Sequence, residues 1–236
     1  MNQILVTEKL YITPELKKKK RMFKIEFFIS VFLVCLLSSY YIYAEYNRNE
    51  SEQVSQQILS EMNSDNTIKK ADSDDIMVIM VNDEKQDESE VNENEISSSY
   101  TALDGTNYSI AARIRIPSIG IEYPVLSETS DELLKISVNK YWAPNGANEV
   151  GNYCIVGHNY RHGKMFGRLH ELANGDRVEL EDLTGRKVTY QVYNKYVVKP
   201  TDTRCTSQKT NGKKELTLIT CTNYGKERLI VKCRQI

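Results

Sequence analysis

The chain of 236 residues is 40% hydrophobic and carries a formal net charge of −1, enough apolar material for one well-cored domain with appendages. Its five cysteines (Cys35, Cys154, Cys205, Cys221, Cys233) include no CxxC pair, which suggests neither a disulfide framework nor a tetrahedral zinc site and leaves at least one thiol over. The small net charge conceals three unlike segments, +4 over residues 1–44, −12 over 45–105 and +7 over 106–236.

Residues 1–24 form a basic N-terminus with Lys17, Lys18, Lys19, Lys20, Arg21 and Lys24. Next, the eighteen residues Phe27–Ala44 carry no charge; taken as 25–44, this stretch is long enough to cross ~30 Å of hydrocarbon as a helix. The basic flank should stay cytoplasmic and the C-terminal bulk outside, as the positive-inside bias requires. Tyr40, Tyr41, Tyr43 and Tyr46 suit the outer interface, where a ring sits in apolar surroundings and its hydroxyl stays wet. A cleaved signal peptide is the competing reading, but the apolar run is long for one and no small-x-small site follows it.

Residues 45–105 are rich in Glu, Asp, Asn, Ser and Gln, and their composition is that of a mobile, self-repelling spacer. Two apolar islands interrupt it. Val54, Ile58, Leu59 and Met62 share one helical face and could continue the membrane helix outward. Ile76–Val81 (IMVIMV) reads either as a strand or arm docked on the following domain, or as transient structure within the spacer.

Residues 106–236 change in texture to short β-type runs separated by turn signals. The runs are Ala111–Ile116, Gly120–Val125, Asn152–Val156, Arg177–Leu180, Lys187–Val198, Glu215–Thr220 and Arg228–Cys233. Such spacing favours a closed or nearly closed β-barrel. A helix is expected within 127–144, where Ser and Thr precede Asp131, Glu132, Leu133, Leu134 and Ile136. A second short helix is expected after His158, on Met165, Phe166, Leu169 and Leu172.

Three residues in this domain suit acyl transfer. Cys221 ends the β-type run LTLITC beside a turn, a place where a thiol is held rigidly yet can face a groove. His158 ends NYCIVGHN, and an imidazole can both give and take a proton near neutral pH. Arg228 opens the last run; if 222–227 close a hairpin it returns to the thiol as a permanent cation for an oxyanion. Arg234 is the rival, roughly 20 Å further along at about 3.3 Å per residue. A metal reading of His158, His162 and His170 is the weaker alternative, since no acidic partner completes a zinc motif.

Together these segments resemble sortases. TLITC (Thr217 to Cys221) is similar to the family's TLxTC signature, GHN (Gly157 to Asn159) to its histidine motif, and RLIV (Arg228 to Val231) to the strand carrying its arginine. The resemblance covers roughly residues 110–236. It implies a mainly β fold, an eight-stranded sortase-type β-barrel with a few short helices behind an N-terminal transmembrane helix and acidic linker. It also implies a cysteine transpeptidase that cuts an LPxTG-like sorting signal through a thioacyl enzyme on Cys221, with His158 as acid and base, Arg228 as oxyanion partner and Thr220 lining the substrate site. The partners implied are secreted proteins with a C-terminal sorting signal and an amine of a peptidoglycan precursor or pilin, at the cell membrane. No nucleic acid, metal or organic cofactor is expected, because nucleophile, proton carrier and charge stabiliser are all side chains. GHNYRHGKMFGRLHEL looks like the class B members, yet Lys199 to Lys214 is too short for that class's helix-bearing insertion, and the absence of a recognisable lid sequence favours wall anchoring over pilin polymerisation. The alternative of another kind is a membrane-tethered adhesion or sensor ectodomain in which Cys221 and His158 are core residues. A cysteine L,D-transpeptidase would need a histidine shortly before the cysteine, and the nearest is His170.

Overall fold

A computed structural model describes residues 14–72, 98–102, 105–160 and 162–236. The run Ile76–Val81 lies outside the described residues. The chain divides into two compact units, Met1–Asn49 and Glu50–Ile236.

Helix α1 covers Pro14–Asp72. In the first unit it is long and apolar enough to cross a membrane, and Phe27, Phe28, Phe32 and Leu37 are all exposed. In the second unit α1 is amphipathic. Ile58, Leu59 and Met62 are buried, and Ile58 and Met62 pack with Tyr100, Tyr108, Ile110 and Leu126. Each such side chain contributes about 1.5–3 kcal/mol of transfer free energy. Strand β1 (Ser99–Thr101) pairs with the start of β2 (Asn107–Ile116). The spacer expected over 45–105 is therefore corrected at both ends: residues 50–62 and 98–102 pack as part of the folded unit, because each presents an apolar face that the sheet covers.

The remaining strands are β3 (Ile121–Leu126), β4 (Val138–Trp142), β5 (Gly151–Val156), β6 (Arg177–Asp182), β7 (Lys187–Val198), β8 (Lys214–Thr222) and β9 (Glu227–Gln235). They run in the order β2-β3-β4-β5-β8-β9-β7-β6, and β6 pairs back onto β2, closing an eight-stranded barrel. All ladders in the ring are antiparallel except β3–β4 and β5–β8. Alternation explains the inward face: Val188, Tyr190 and Val192 enter the core while Thr189 and Gln191 do not. β8 has no such alternation, since Glu215 to Thr220 are all buried. Its Leu216 and Leu218 fill the barrel, and Ile219 packs outside it with Cys154, Cys205 and Ile230.

Both helices expected from periodicity shrink. Within 127–144 only α2 (Leu133–Ile136) forms, and it stops where Ser137 turns extended. The residues after it become β4, since VNKYW finds ladder partners on β3 and β5. After His158 a single 3-10 turn forms at Leu169–Glu171. Met165, Phe166, Leu169 and Leu172 are indeed buried, but Met165 takes a left-handed φ of 50° that breaks any helix there.

Candidate active site

Cys221 on β8 and Arg228 on β9 stand directly opposite in the antiparallel ladder. Such cross-strand partners project to the same face of the sheet, with Cβ atoms about 4.5–5.5 Å apart. The hairpin between them needs left-handed backbone at Asn223 (φ 48°), Tyr224 (φ 54°) and Gly225 (φ 85°). Arg228 Nη1 donates to the carbonyls of Gly225 and Glu227 at 3.0 and 3.1 Å, which anchors the guanidinium. Arg234 belongs elsewhere, donating to Glu215 at 3.0 Å and lying 4.5 Å from the Tyr193 ring centre.

His158 arrives from the other side of β8. β5 runs parallel to β8 with Val156 beside Ile219, so His158, two residues past the end of β5, emerges at the same end of β8 as Cys221. Three hydrogen bonds hold the register past the strand end. Gly157 N–H donates to Ile219 O at 3.1 Å, the Thr220 hydroxyl donates to Gly157 O at 2.7 Å, and Asn159 Nδ2 donates to Cys221 O at 2.7 Å. Gly157 must be glycine, because a Cβ there would stand 2.7 Å from Val138 Cγ1 and 2.9 Å from Phe166 Cδ2.

The assignment of Thr220 to the substrate site needs correction. Thr220 is 1% exposed and faces opposite to Cys221, because successive strand residues alternate. Its role is to tie the histidine segment to the cysteine strand. Thr220→Val should leave Gly157 O without this partner and cost about 1–2 kcal/mol. Thermal melting should register that as a fall of roughly 2–8 °C, and an unchanged melting temperature would remove this role.

Cys221, His158 and Arg228 all line one groove of about 330 Å³. Its apolar floor is Val156, Ile219 and Ile230, and Tyr141 and Leu134 also line it. Tyr141 and Asp131 escaped the sequence reading, the first because β4 was read as helix and loop, the second because an acidic residue before Leu133 looks like a helix start.

The imidazole of His158 is pushed below its ordinary pKa of 6.5, chiefly by burial; Lys135 adds to the shift and Asp131 opposes it. Its neutral form is therefore the resting one at pH 7. As pH falls the unfolded chain protonates first, so this group's contribution to stability is full above pH 6.5 and is lost as pH falls through the lowered value. The ring sits 5.2 Å from that of Tyr160. Burial also pushes the thiols of Cys154 and Cys233 up to about 12, so neither supplies thiolate near neutrality.

Comparison with known proteins bears on this arrangement. The family model for the Sortase domain matches residues 114–236, just over half of the 236 residues. Sortase A of Bacillus anthracis is 33% identical over 113 residues, 48% of this chain and 52% of that protein. The chain thus spans about half the length of this curated relative. Among solved structures, a Clostridium perfringens sortase D5 transpeptidase superposes with a TM-score of 0.55 at 22% identity, covering 78% of this chain and 99% of that one. This likeness is one of fold. Sortase C-1 from Actinomyces oris superposes with a TM-score of 0.50 at 29% identity, covering 54% of this chain and 73% of that one.

Proposed function

The chain belongs to the sortase family, and from that premise we propose that it is a membrane-anchored cysteine transpeptidase using Cys221, His158 and Arg228. The observation that carries this reading is the ladder register: β8 and β9 set Cys221 opposite Arg228, and the continuation of β5 brings His158 to the same groove.

The chemistry starts from the His158 imidazole in its neutral form. His158 takes the Cys221 proton as sulfur attacks the peptide carbonyl, and the oxyanion is held by the Arg228 guanidinium. The imidazolium then returns that proton to the departing amine, leaving a thioacyl enzyme. An acceptor amine attacks the thioester, His158 removes its proton, and the same charge stabiliser serves the second tetrahedral intermediate. That intermediate collapses with cleavage of the C–S bond, the acyl group leaves as the new amide, and the proton taken by His158 passes to the Cys221 sulfur, which restores thiol and imidazole.

The substrate is an LPxTG-like sorting signal at the C-terminus of a secreted protein, and the acceptor an amine of the cell wall. The apolar floor of the groove supports an extended peptide with an apolar side chain against Ile219 and Ile230. The stretch between β7 and β8 holds only a 3-10 turn at Arg204–Thr206, so no long helix roofs the groove from that side. The apolar part of α1 anchors the enzyme, with the basic N-terminus cytoplasmic and the barrel outside. The test is to incubate the full chain, in detergent micelles, with a library of sorting-signal peptides and an amine nucleophile. Amide-exchanged peptide and a thioacyl mass on Cys221 are expected; folded protein that forms neither with any peptide would overturn the reading.

A further inference from the structure

The loop that carries His158 is tied to α1 by a continuous chain of hydrogen bonds. Glu52, on the part of α1 within the Glu50–Ile236 unit, accepts from the Tyr123 hydroxyl at 2.9 Å on Oε1 and 3.1 Å on Oε2. The same hydroxyl oxygen accepts from Met165 N–H at 3.0 Å. Met165 bridges Asn159 in a short antiparallel contact, and the neighbouring Phe166 N–H donates to His158 O at 3.0 Å. Asn159 in turn holds Cys221 O.

Two features single this chain of contacts out from ordinary packing. Met165 is 1% exposed and keeps a left-handed backbone, φ 50°, that is unfavourable for a side-chain-bearing residue; such a conformation persists only where its surroundings over-determine it. Its amide, buried among apolar side chains, has one acceptor, and that acceptor is Tyr123. Tyr123 is itself 4% exposed, and burial first, then the Glu52 carboxylate, hold its phenol well above the ordinary value of 10.0, so the hydroxyl keeps its proton and donates it to Glu52.

We infer that Glu52 and Tyr123 are positioning residues for the transpeptidase site: through Met165 they set the backbone of His158 and Asn159, which makes residues 50–62 of α1 part of the working enzyme rather than a tether. This inference rests on the reading of His158 as the proton carrier, and on the geometry of the Glu52–Tyr123–Met165 contacts independently of it. In the donating arrangement each bond polarises the next, so removing one hydroxyl releases both neighbours.

The test compares the full-length protein with Tyr123→Phe, Glu52→Ala, Glu52→Gln and Tyr100→Phe. The last deletes a comparable bond between β1 and α1, from Tyr100 to Glu61 at 2.9 Å, outside the His158 loop. Tyr123→Phe should lower kcat for peptide exchange roughly tenfold to a hundredfold, the scale of a displaced catalytic group, with KM within about twofold. Glu52→Ala should fall in the same direction and Glu52→Gln, which keeps an acceptor oxygen, should recover most of the loss. Tyr100→Phe should leave kcat within about twofold. Amide hydrogen exchange gives a second readout that needs no substrate: Tyr123→Phe should expose residues 158–169 selectively while β8 and β9 stay protected. Equal losses in Tyr123→Phe and Tyr100→Phe would overturn the inference, as would unchanged protection of 158–169. If the unmodified protein exchanges no peptide, the transpeptidase reading fails by itself, and the exchange pattern still decides whether Glu52 and Tyr123 set this loop.

Discussion

Cys221→Ala is expected to lower peptide exchange at least about 10⁴-fold and to abolish the thioacyl adduct, while the barrel melts within a few degrees of the unsubstituted protein. Residues that act as one catalytic unit lose nearly everything when the nucleophile goes, leaving only the binding and charge contribution. The melting temperature should hold because Cys221 is only partly buried, at the groove side of a strand end. Mass spectrometry after alkylation provides the matching check. Label should fall on Cys221 and spare Cys154 and Cys233, both 0% exposed and with thiols near 12. A Cys221→Ala protein that keeps its biological function would instead favour the adhesion or sensor ectodomain.

Arg228→Ala should cost about 10²–10³ in kcat, the loss measured when a donor to a developing oxyanion is removed. Arg228→Lys should recover only part of this. An ammonium restores charge but cannot both reach Gly225 O and Glu227 O and present a second planar N–H edge to the substrate, as the guanidinium can. The control is Arg234→Ala, which breaks a pair with the carboxylate of Glu215. Its guanidinium is about two-fifths exposed, so the stability loss should stay at or below about 1 kcal/mol, and kcat should not change. Steady-state kinetics on the three variants separates the two arginines; an Arg228→Ala enzyme within threefold of the parent would remove the oxyanion role.

The contrast between these two arginines shows how the site became legible. Both lie on the last strand and both look like surface charge on their own. Arg228 stood out because a hairpin of that length folds it back on Cys221, a local inference that the ladder register agrees with. The position of His158 was harder to derive, since β5 and β8 are about sixty residues apart and run parallel. Nothing in the run NYCIVGHN states which strand it will lie beside; only its match to a known motif did. Thr220 was misread for a related reason. β8 is buried on both faces, so composition does not tell one face from the other; Thr220 was placed at the site by resemblance, while strand alternation turns it to the face opposite Cys221.

Periodicity failed where the chain turns sharply. Leu133, Leu134 and Ile136 carry a helical spacing, and Met165, Phe166, Leu169 and Leu172 do too, yet one segment stops after four residues and the other is bent by Met165. Met165, Phe166, Leu169 and Leu172 are buried as expected, but by neighbouring strands and loops rather than by a helix face, whereas Leu133, Leu134 and Ile136 are only half-buried.

By itself, the amino-acid order determined the apolar N-terminal stretch, the β-rich C-terminal half and the residue types able to carry acyl transfer, because charge, hydropathy and strand alternation are local properties. The tertiary structure decided which faces meet: β4 as a strand, Thr220 as an inward tie, residues 50–62 as part of the folded unit, and Glu52 joined to the His158 loop through Tyr123. Each of these depends on pairing between segments distant in the chain, and pairing is governed by register and burial, which no single segment carries within its own sequence.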